Sequence, residues 1–314
     1  MAPSIEKAFD LLRSEGEVLP TSLRGLSDMN AVAAEEARRQ WALLPLARRL
    51  AVMRLAGSLA DEHIELNFDR LDLIGLGDSD AVVRRQAVAN LWESEDPSLR
   101  SRFLALLETD DDLGVRVEAA RALGRFVLEM EETEADGEDR RRLEQALLSA
   151  TSDGDEMLHL QAVESLGFSS RAEVPDLIRS AYDSAGDDAK RSALVAMGRS
   201  ADRRWRDIVT SELRSPAPTT RREAARAAGE LELRRSIPEL AELLEDVNPD
   251  VALQAIWALG QIGGKSAERA LLRAQRTASD ETTRVALQES LEHLAFLEGT
   301  RDLEGALRLR REPE

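Results

Sequence analysis

Cysteine is absent from the 314 residues, which excludes disulfides and thiolate metal sites. No run of about 18 apolar residues occurs, so no membrane-spanning helix is read. The opening stretch MAPSIEKAFDLLRSEGE lacks the short apolar core of a secretory leader, so a soluble, cytoplasmic protein is expected. Aromatic residues make up only 4% of the chain, so a core must be assembled from Ala, Leu, Val and Ile. Such small side chains suit helices that approach closely. Lysine is nearly missing: only Lys7, Lys190 and Lys265 stand among 42 basic residues, the rest being Arg, a bias that a GC-rich or salt-adapted source accounts for. Positive charge as a whole is in deficit. A formal charge of −18 repels polyanions over most of the surface, which argues against a general nucleic-acid binder or an acidic-membrane binder.

What the chain does have is repetition. VRVEAARALG from Val115 recurs as VRRQAVANLW from Val83, LHLQAVESLG from Leu158, AKRSALVAMG from Ala189, TRREAARAAG from Thr220 and VALQAIWALG from Val251, with a worn copy, TRVALQESLE, from Thr283. The closing glycines Gly167, Gly198, Gly229 and Gly260 are each 31 residues apart. A fixed period of this size is the mark of a solenoid, one supersecondary unit stacked many times. Three residues ahead of each copy stand Asp80, Asp112, Asp155, Gly186, Ala217, Asn248 and Asp280, mostly the side chains that accept from free backbone N–H groups at a helix start. Pro218 and Pro249 follow at the first helical position, where proline is favoured. Leu147, Ile178, Val209, Leu240 and Leu271, again 31 apart, mark the buried side of the partner helices, and Pro175 and Pro238 fall near their starts.

The expected division is a helical N-terminal cap over residues 1–62, a repeat region over 63–292 and a C-terminal cap and tail over 293–314. Within the cap, Ile5–Leu12, Ala31–Leu44 and Leu46–Ala60 carry apolar residues at helical spacing, and ARRLAVMRLAG from Ala47 reads as a degenerate copy of the repeat. Gly124 to Gly167 spans 43 residues, so the third unit carries 12 extra, including the acidic insertion 129–139 (EMEETEADGED), with seven acids and no base. Such a run predicts a solvated loop. In the tail a last amphipathic segment, 302–309, is expected to cap the far end, with 310–314 frayed.

The consensus Asp-x-x-Val-Arg-x-x-Ala-Ala-x-Ala-Leu-Gly, followed by a proline-bearing Leu-rich helix, resembles the HEAT-like repeat, in particular the short subtype named after phycobilisome lyases. The resemblance covers roughly residues 63–292. It implies an all-α fold, a right-handed α-solenoid of about seven helix pairs with helical caps, in which the second helices line the concave face. It also implies a ladder of charged residues between neighbouring repeats, whose basic slot is held here by Arg84, Arg116, Lys190, Arg221 and Arg284, with Ala252 departing from the pattern. Members of this wide group include scaffolds, bilin lyase subunits, deoxyhypusine hydroxylases and, more distantly, alkyl-base DNA glycosylases.

The chemistry of those enzymes finds little footing in the residues. The hydroxylases' His-Glu dipeptides are missing, and His63, His159 and His293 fall in different units, so no metal or other cofactor is expected. A glycosylase needs a basic, aromatic-lined groove, for which Trp205, Trp257 and Arg222 are the available residues in a strongly acidic chain. The stretch Gly263-Gly264-Lys265-Ser266 is not a phosphate-binding loop, because Leu259 stands where its first glycine belongs. A bilin lyase-type subunit remains the alternative, supported by the repeat subtype alone. The reading that fits best is a non-catalytic protein–protein interaction scaffold. Counting each copy from its first residue, positions 1, 5, 8 and 9 are apolar, and positions 3 and 7 lie on the opposite side. There Arg191, Arg222 and Arg226 meet Leu253 and Trp257, the composition of a binding hot spot. Residues 187–235 hold 12 basic and 8 acidic side chains, so the partner expected is a protein or peptide with an acidic segment. The alternative is that Trp257 packs on a neighbouring repeat while the arginines meet Glu223 and Glu230.

Overall fold

The computed structural model describes residues 4–14, 16–133 and 137–309, with side chains up to Phe296. All regular structure among the described residues is helical. The chain forms two compact units, Met1–Ala162 and Val163–Glu314. The first begins with α1 (Ile5–Arg13), α2 (Pro20–Leu23), α3 (Ala31–Trp41) and α4 (Leu46–Glu62). Helix pairs follow: α5 (Asp69–Gly75) with α6 (Ala81–Asn90), α7 (Leu99–Thr109) with α8 (Leu113–Glu132), and α9 (Glu138–Ala150) with α10 (Glu156–Leu166), inside which the first unit ends. The second unit continues with α11 (Val174–Asp183) and α12 (Asp187–Arg199), α13 (Arg206–Glu212) and α14 (Pro218–Glu230), α15 (Ile237–Leu243) and α16 (Pro249–Ile262), and α17 (Gly264–Thr277) and α18 (Glu281–Leu309). The second members of the pairs lie side by side, α4, α6 and α8 in the first unit and α12, α14, α16 and α18 in the second.

Local chemistry explains where these helices begin. Asp80, Asp112, Asp155, Asn248 and Asp280 each accept a hydrogen bond from a backbone N–H of the first turn, at 2.8–3.0 Å for the shorter contact. Where the cap is Ala217 its side chain offers no acceptor, and Pro218 at the first position removes one of the N–H groups that would need a partner. Leu147, Ile178, Val209, Leu240 and Leu271 are all fully buried. Each closing glycine meets a small residue at position 8 of the next copy. A Cβ on Gly167 would stand 2.9 Å from the Ala196 Cα, and one on Gly198 3.0 Å from the Ala227 Cα. One on Gly229 would stand 2.9 Å from the Ala258 Cα, and one on Gly260 3.2 Å from Ser290. The 31-residue glycine period is therefore a period of close helix–helix approach, in which backbone meets backbone.

Charged rungs tie neighbouring repeats together. Arg84 donates from Nε and Nη2 to the two carboxylate oxygens of Asp110, both at 2.7 Å, and from Nη1 to the Asp78 carbonyl. Arg221 repeats this on Asp246 (2.7 and 2.8 Å) and on the Ser215 carbonyl. Arg116 reaches Asp153 at 2.8 Å. Each acid stands two residues before a helix cap, and there its carboxylate also accepts from the cap's own N–H at Asp112 and at Asn248. In the fourth copy Ser215 occupies that place, and Lys190 turns instead to Glu212 of α13 at 3.1 Å. Arg284 pairs instead with Glu281 of its own helix and donates to the Ser279 carbonyl at 3.0 Å. His159, in the same slot, bonds the Thr151 carbonyl through Nδ1 at 2.7 Å.

Three stretches differ from the sequence reading. The N-terminal 62 residues are more than a cap, because Arg49 on α4 occupies the ladder slot and binds both oxygens of Asp78 at 2.9 Å. The acidic stretch 129–139 is mostly helix rather than a solvated loop. Its first four residues extend α8 to Glu132, since Val127 and Met130 continue that helix's buried stripe, and Arg140 pairs with Glu131 across the connection. Residues 138–139 open α9, and 134–136 lie outside the described residues. The segment 302–309 is not a separate cap but the end of α18, which runs unbroken from Glu281; residues 310–314 lie outside the described residues.

Candidate interaction face

The face singled out by the helical wheel lies on α12, α14 and α16 of the second unit. Arg222 and Arg226 stand one turn apart on α14. Arg222 donates to Glu223 Oε1 from Nη2 at 2.6 Å and from Nε at 3.1 Å, and Arg226 donates to Glu230 at 2.9 Å. On α12, Arg191 lies 3.8 Å from Glu164 and 3.6 Å from Asp188. The arginine heads are thus paired with carboxylates of this chain, yet their side chains remain 35–41% exposed. Glu164 is held in place by the Ser192 hydroxyl at 2.6 Å.

Trp257 occupies both positions that the sequence left open. One edge of its ring lies on α14, where a Cβ added to Gly229 would be 2.7 Å from Cζ3, while 37% of the residue stays exposed. Leu253, one turn earlier on α16, is half-buried. The wheel fails at other positions of the same slots. Val195 at position 7 of α12 is only 4% exposed and Leu160 at position 3 of α10 only 8%. A second helix packs against a neighbouring second helix as well as its partner, so its apolar arc is wider than a two-helix wheel allows. Trp205 is 2% exposed and belongs to the core, with Arg179 over its ring at 5.5 Å, so it lines no groove.

Along the ladder the electrostatics are those of structural pairing. Burial works against the Asp110 carboxylate, but the Arg84 guanidinium and the Asp112 N–H hold it below the ordinary carboxylate range. Asp246 is held low first by Arg221. Tyr182 is pushed up to about 12 by burial and by its 2.6 Å hydrogen bond to Glu212, so it stays protonated and donates to that carboxylate. Among the described residues no group of three His, Asp or Glu side chains converges as metal ligands do, and no helix is long and apolar enough to cross a membrane.

The family model for HEAT repeats matches residues 72–137 and 207–292. A search of curated protein sequences finds no match. Among solved structures, yeast importin-β (Kap95p) is similar over 92% of this chain and 46% of its own, at 11% identity and a TM-score of 0.51. The complex of CpcE and CpcF of phycocyanin lyase from Nostoc sp. PCC7120 is similar over 72% of this chain and 94% of that one, at 19% identity and a TM-score of 0.49. Human deoxyhypusine hydroxylase aligns over 93% and 96% at 16% identity, with a TM-score of 0.38. Residues 72–137 and 207–292 are HEAT repeats, and the stacked second helices with their charged rungs run through both stretches.

Proposed function

We propose that the protein is a non-catalytic interaction scaffold, which takes up an acidic segment of a protein partner on the open side of α12, α14 and α16. The observation that carries this reading is Trp257, a large apolar ring fixed by its edge on Gly229 of α14, the helix that carries Arg222 and Arg226, and left 37% exposed. A rigid aromatic surface loses little entropy when a partner covers it. Arg222 and Arg226 each keep more than a third of the side chain exposed, so a partner carboxylate can bind them from the solvent side without displacing the buried Glu223. The local excess of 12 basic over 8 acidic residues in 187–235 draws an acidic segment to this zone of a chain that is otherwise repulsive to it.

Capture of the native partner from host extract by immobilised protein, followed by mass spectrometry, supplies the ligand for the decisive comparison. Trp257→Ala should weaken the captured partner's binding by about tenfold or more, as hot-spot truncation does. The Arg222/Arg226 double alanine should act mainly on the association rate and its salt dependence. Wild-type affinity and rates in both variants would place the binding surface elsewhere.

A further inference from the structure

The first unit carries a feature of opposite charge, independent of the face just described. Residues 61–96 hold ten acidic and three basic side chains. They contribute to a cleft of about 1250 Å³ between the end of α4, the start of α5 and the turn after α6, lined by seven carboxylates against one guanidinium, Arg70. At its floor lies Asp72 of α5, only 3% exposed. One of its oxygens accepts from Asn90 Nδ2 at 2.7 Å, and the other takes no hydrogen bond from the described residues. Asn90 is itself fixed, donating to the Met53 carbonyl at 2.9 Å and accepting from Gln86 at 2.9 Å.

The rim is equally well built. Trp92 stands in a 3-10 turn at the place where most other copies of the repeat have their closing glycine, and 59% of it is exposed. Arg125 holds this turn by donating to the carbonyls of Trp92 and Ser94, both at 2.7 Å, and the Ser94 hydroxyl donates to Asp69. The buried ladder aspartates each have a guanidinium of this chain: Asp78 has Arg49, Asp110 has Arg84 and Asp246 has Arg221. Asp72 has none. A buried carboxylate with half of its hydrogen-bonding capacity unused is costly unless something outside the chain completes it.

We propose that this cleft docks a basic segment of a protein partner, with one arginine guanidinium beside Asp72 and against the Trp92 ring. The occupant follows from three observations: the surplus of carboxylates selects a cation, the exposed indole selects a planar one, and the open Asp72 oxygen gives the guanidinium an acceptor. The carboxylates do not converge as metal ligands do, so a bare metal ion is a poor fit.

The test uses the full chain and a fluorescent Gly-Arg-Gly-Arg-Gly-Arg-Gly peptide, with its lysine and glutamate counterparts, at about 150 mM salt, where long-range attraction is screened. The arginine peptide should bind more tightly than the lysine peptide, and the glutamate peptide not at all. Asp72→Asn keeps an acceptor for Asn90 and should weaken the arginine peptide by about tenfold, and Trp92→Ala, a surface change, by several-fold. The Arg222/Arg226 double alanine should leave this binding unchanged, which separates it from the face on the second unit. Binding that survives in both Asp72→Asn and Trp92→Ala, or displacement by spermidine at equal charge concentration, would show plain charge attraction and overturn the proposal. Absence of arginine-peptide binding would do the same.

Discussion

Replacing Gly229 by alanine tests the packing rule on which the repeat rests. Two effects oppose each other. Alanine is the better helix former and gains about 1 kcal/mol over glycine in a helix interior. The added Cβ, however, would stand 2.7 Å from Trp257 Cζ3, 2.9 Å from the Ala258 Cα and 3.1 Å from the Ala258 Cβ, all on α16. No flexible side-chain end can yield there, so α16 itself must move away from α14. Overpacking of this kind costs about 1–3 kcal/mol, which leaves a net loss of up to about 2 kcal/mol. Gly77→Ala is the matched control. Its Cβ would meet only the Ile74 carbonyl at 3.7 Å, and its backbone does not need a left-handed conformation, so it should gain about 0.4–1 kcal/mol through the unfolded chain. Urea denaturation should therefore move the two midpoints in opposite directions. Hydrogen exchange should place the Gly229→Ala damage in α14 and α16, since solenoid repeats feel chiefly their neighbours. A Gly229→Ala protein stabilised as much as Gly77→Ala would refute the close-approach account of the glycine period.

Leu240→Ala truncates a fully buried knob of α15 and should cost about 2–5 kcal/mol, with faster exchange confined to α14–α17; loosening of equal size in α1–α8 would argue against repeat-by-repeat stability. Asp246→Asn should cost about 1–3 kcal/mol at pH 7 by unpairing Arg221. Because the folded protein holds the Asp246 carboxyl below its ordinary range, this rung stabilises above the unfolded value and is lost as the pH falls through the folded one. The gap between wild type and Asp246→Asn should thus be steady from pH 5 to 7 and narrow below about pH 4 in urea titrations. A gap that does not change with pH would assign the cost to packing rather than to charge.

The periodic part of the fold was legible because one physical constraint, close approach of small residues on glycine, recurs with the chain's own period. Caps and first-helix knobs followed from position alone. The sequence failed where two constraints compete. In the stretch 129–132 three acids suggested a loop, but Met130 in register with Val127 decided for helix, and a helix tolerates charges on its solvent side. Arg49 was hidden in a copy too worn to align with confidence to its acid, Asp78, which lies 29 residues on. The interaction face was half legible. Residue types at positions 3 and 7 could be read, whereas their exposure depends on how deeply the next helix overlaps, which buries Val195 but leaves Trp257 open. Trp92 did leave a signal, a bulky ring at the place of a closing glycine. Such a residue cannot sit at a close approach, and here it stands exposed in a 3-10 turn.

Asp110 and Asp246, each on a ladder arginine, differ in proton affinity from Asp72, which lies on none. Asp110 and Asp246, each on an arginine, sit below the ordinary carboxylate range and stabilise the fold at neutral pH. Asp72 sits well above it, because burial disfavours its charge and nearby Asp69 adds repulsion, which the Asn90 hydrogen bond does not offset. The sign of its contribution is reversed. A carboxyl that holds its proton more tightly in the folded state than in the unfolded one favours folding in acid. It then withdraws that support as the pH rises from about 4 through the folded value. Asp72→Asn keeps the shape and the Asn90 contact but removes the titration. It should therefore match wild type near pH 4 and become the more stable protein by pH 7, read as a midpoint difference in urea that grows with pH. If the two proteins differ by the same amount at both pH values, Asp72 titrates alike in the folded and unfolded chain and its burial is not a strain on the fold. A growing difference means that the free protein carries a destabilising carboxylate beside an open acidic cleft. That is the behaviour of a group kept for the cation that completes it, and not for the fold that houses it.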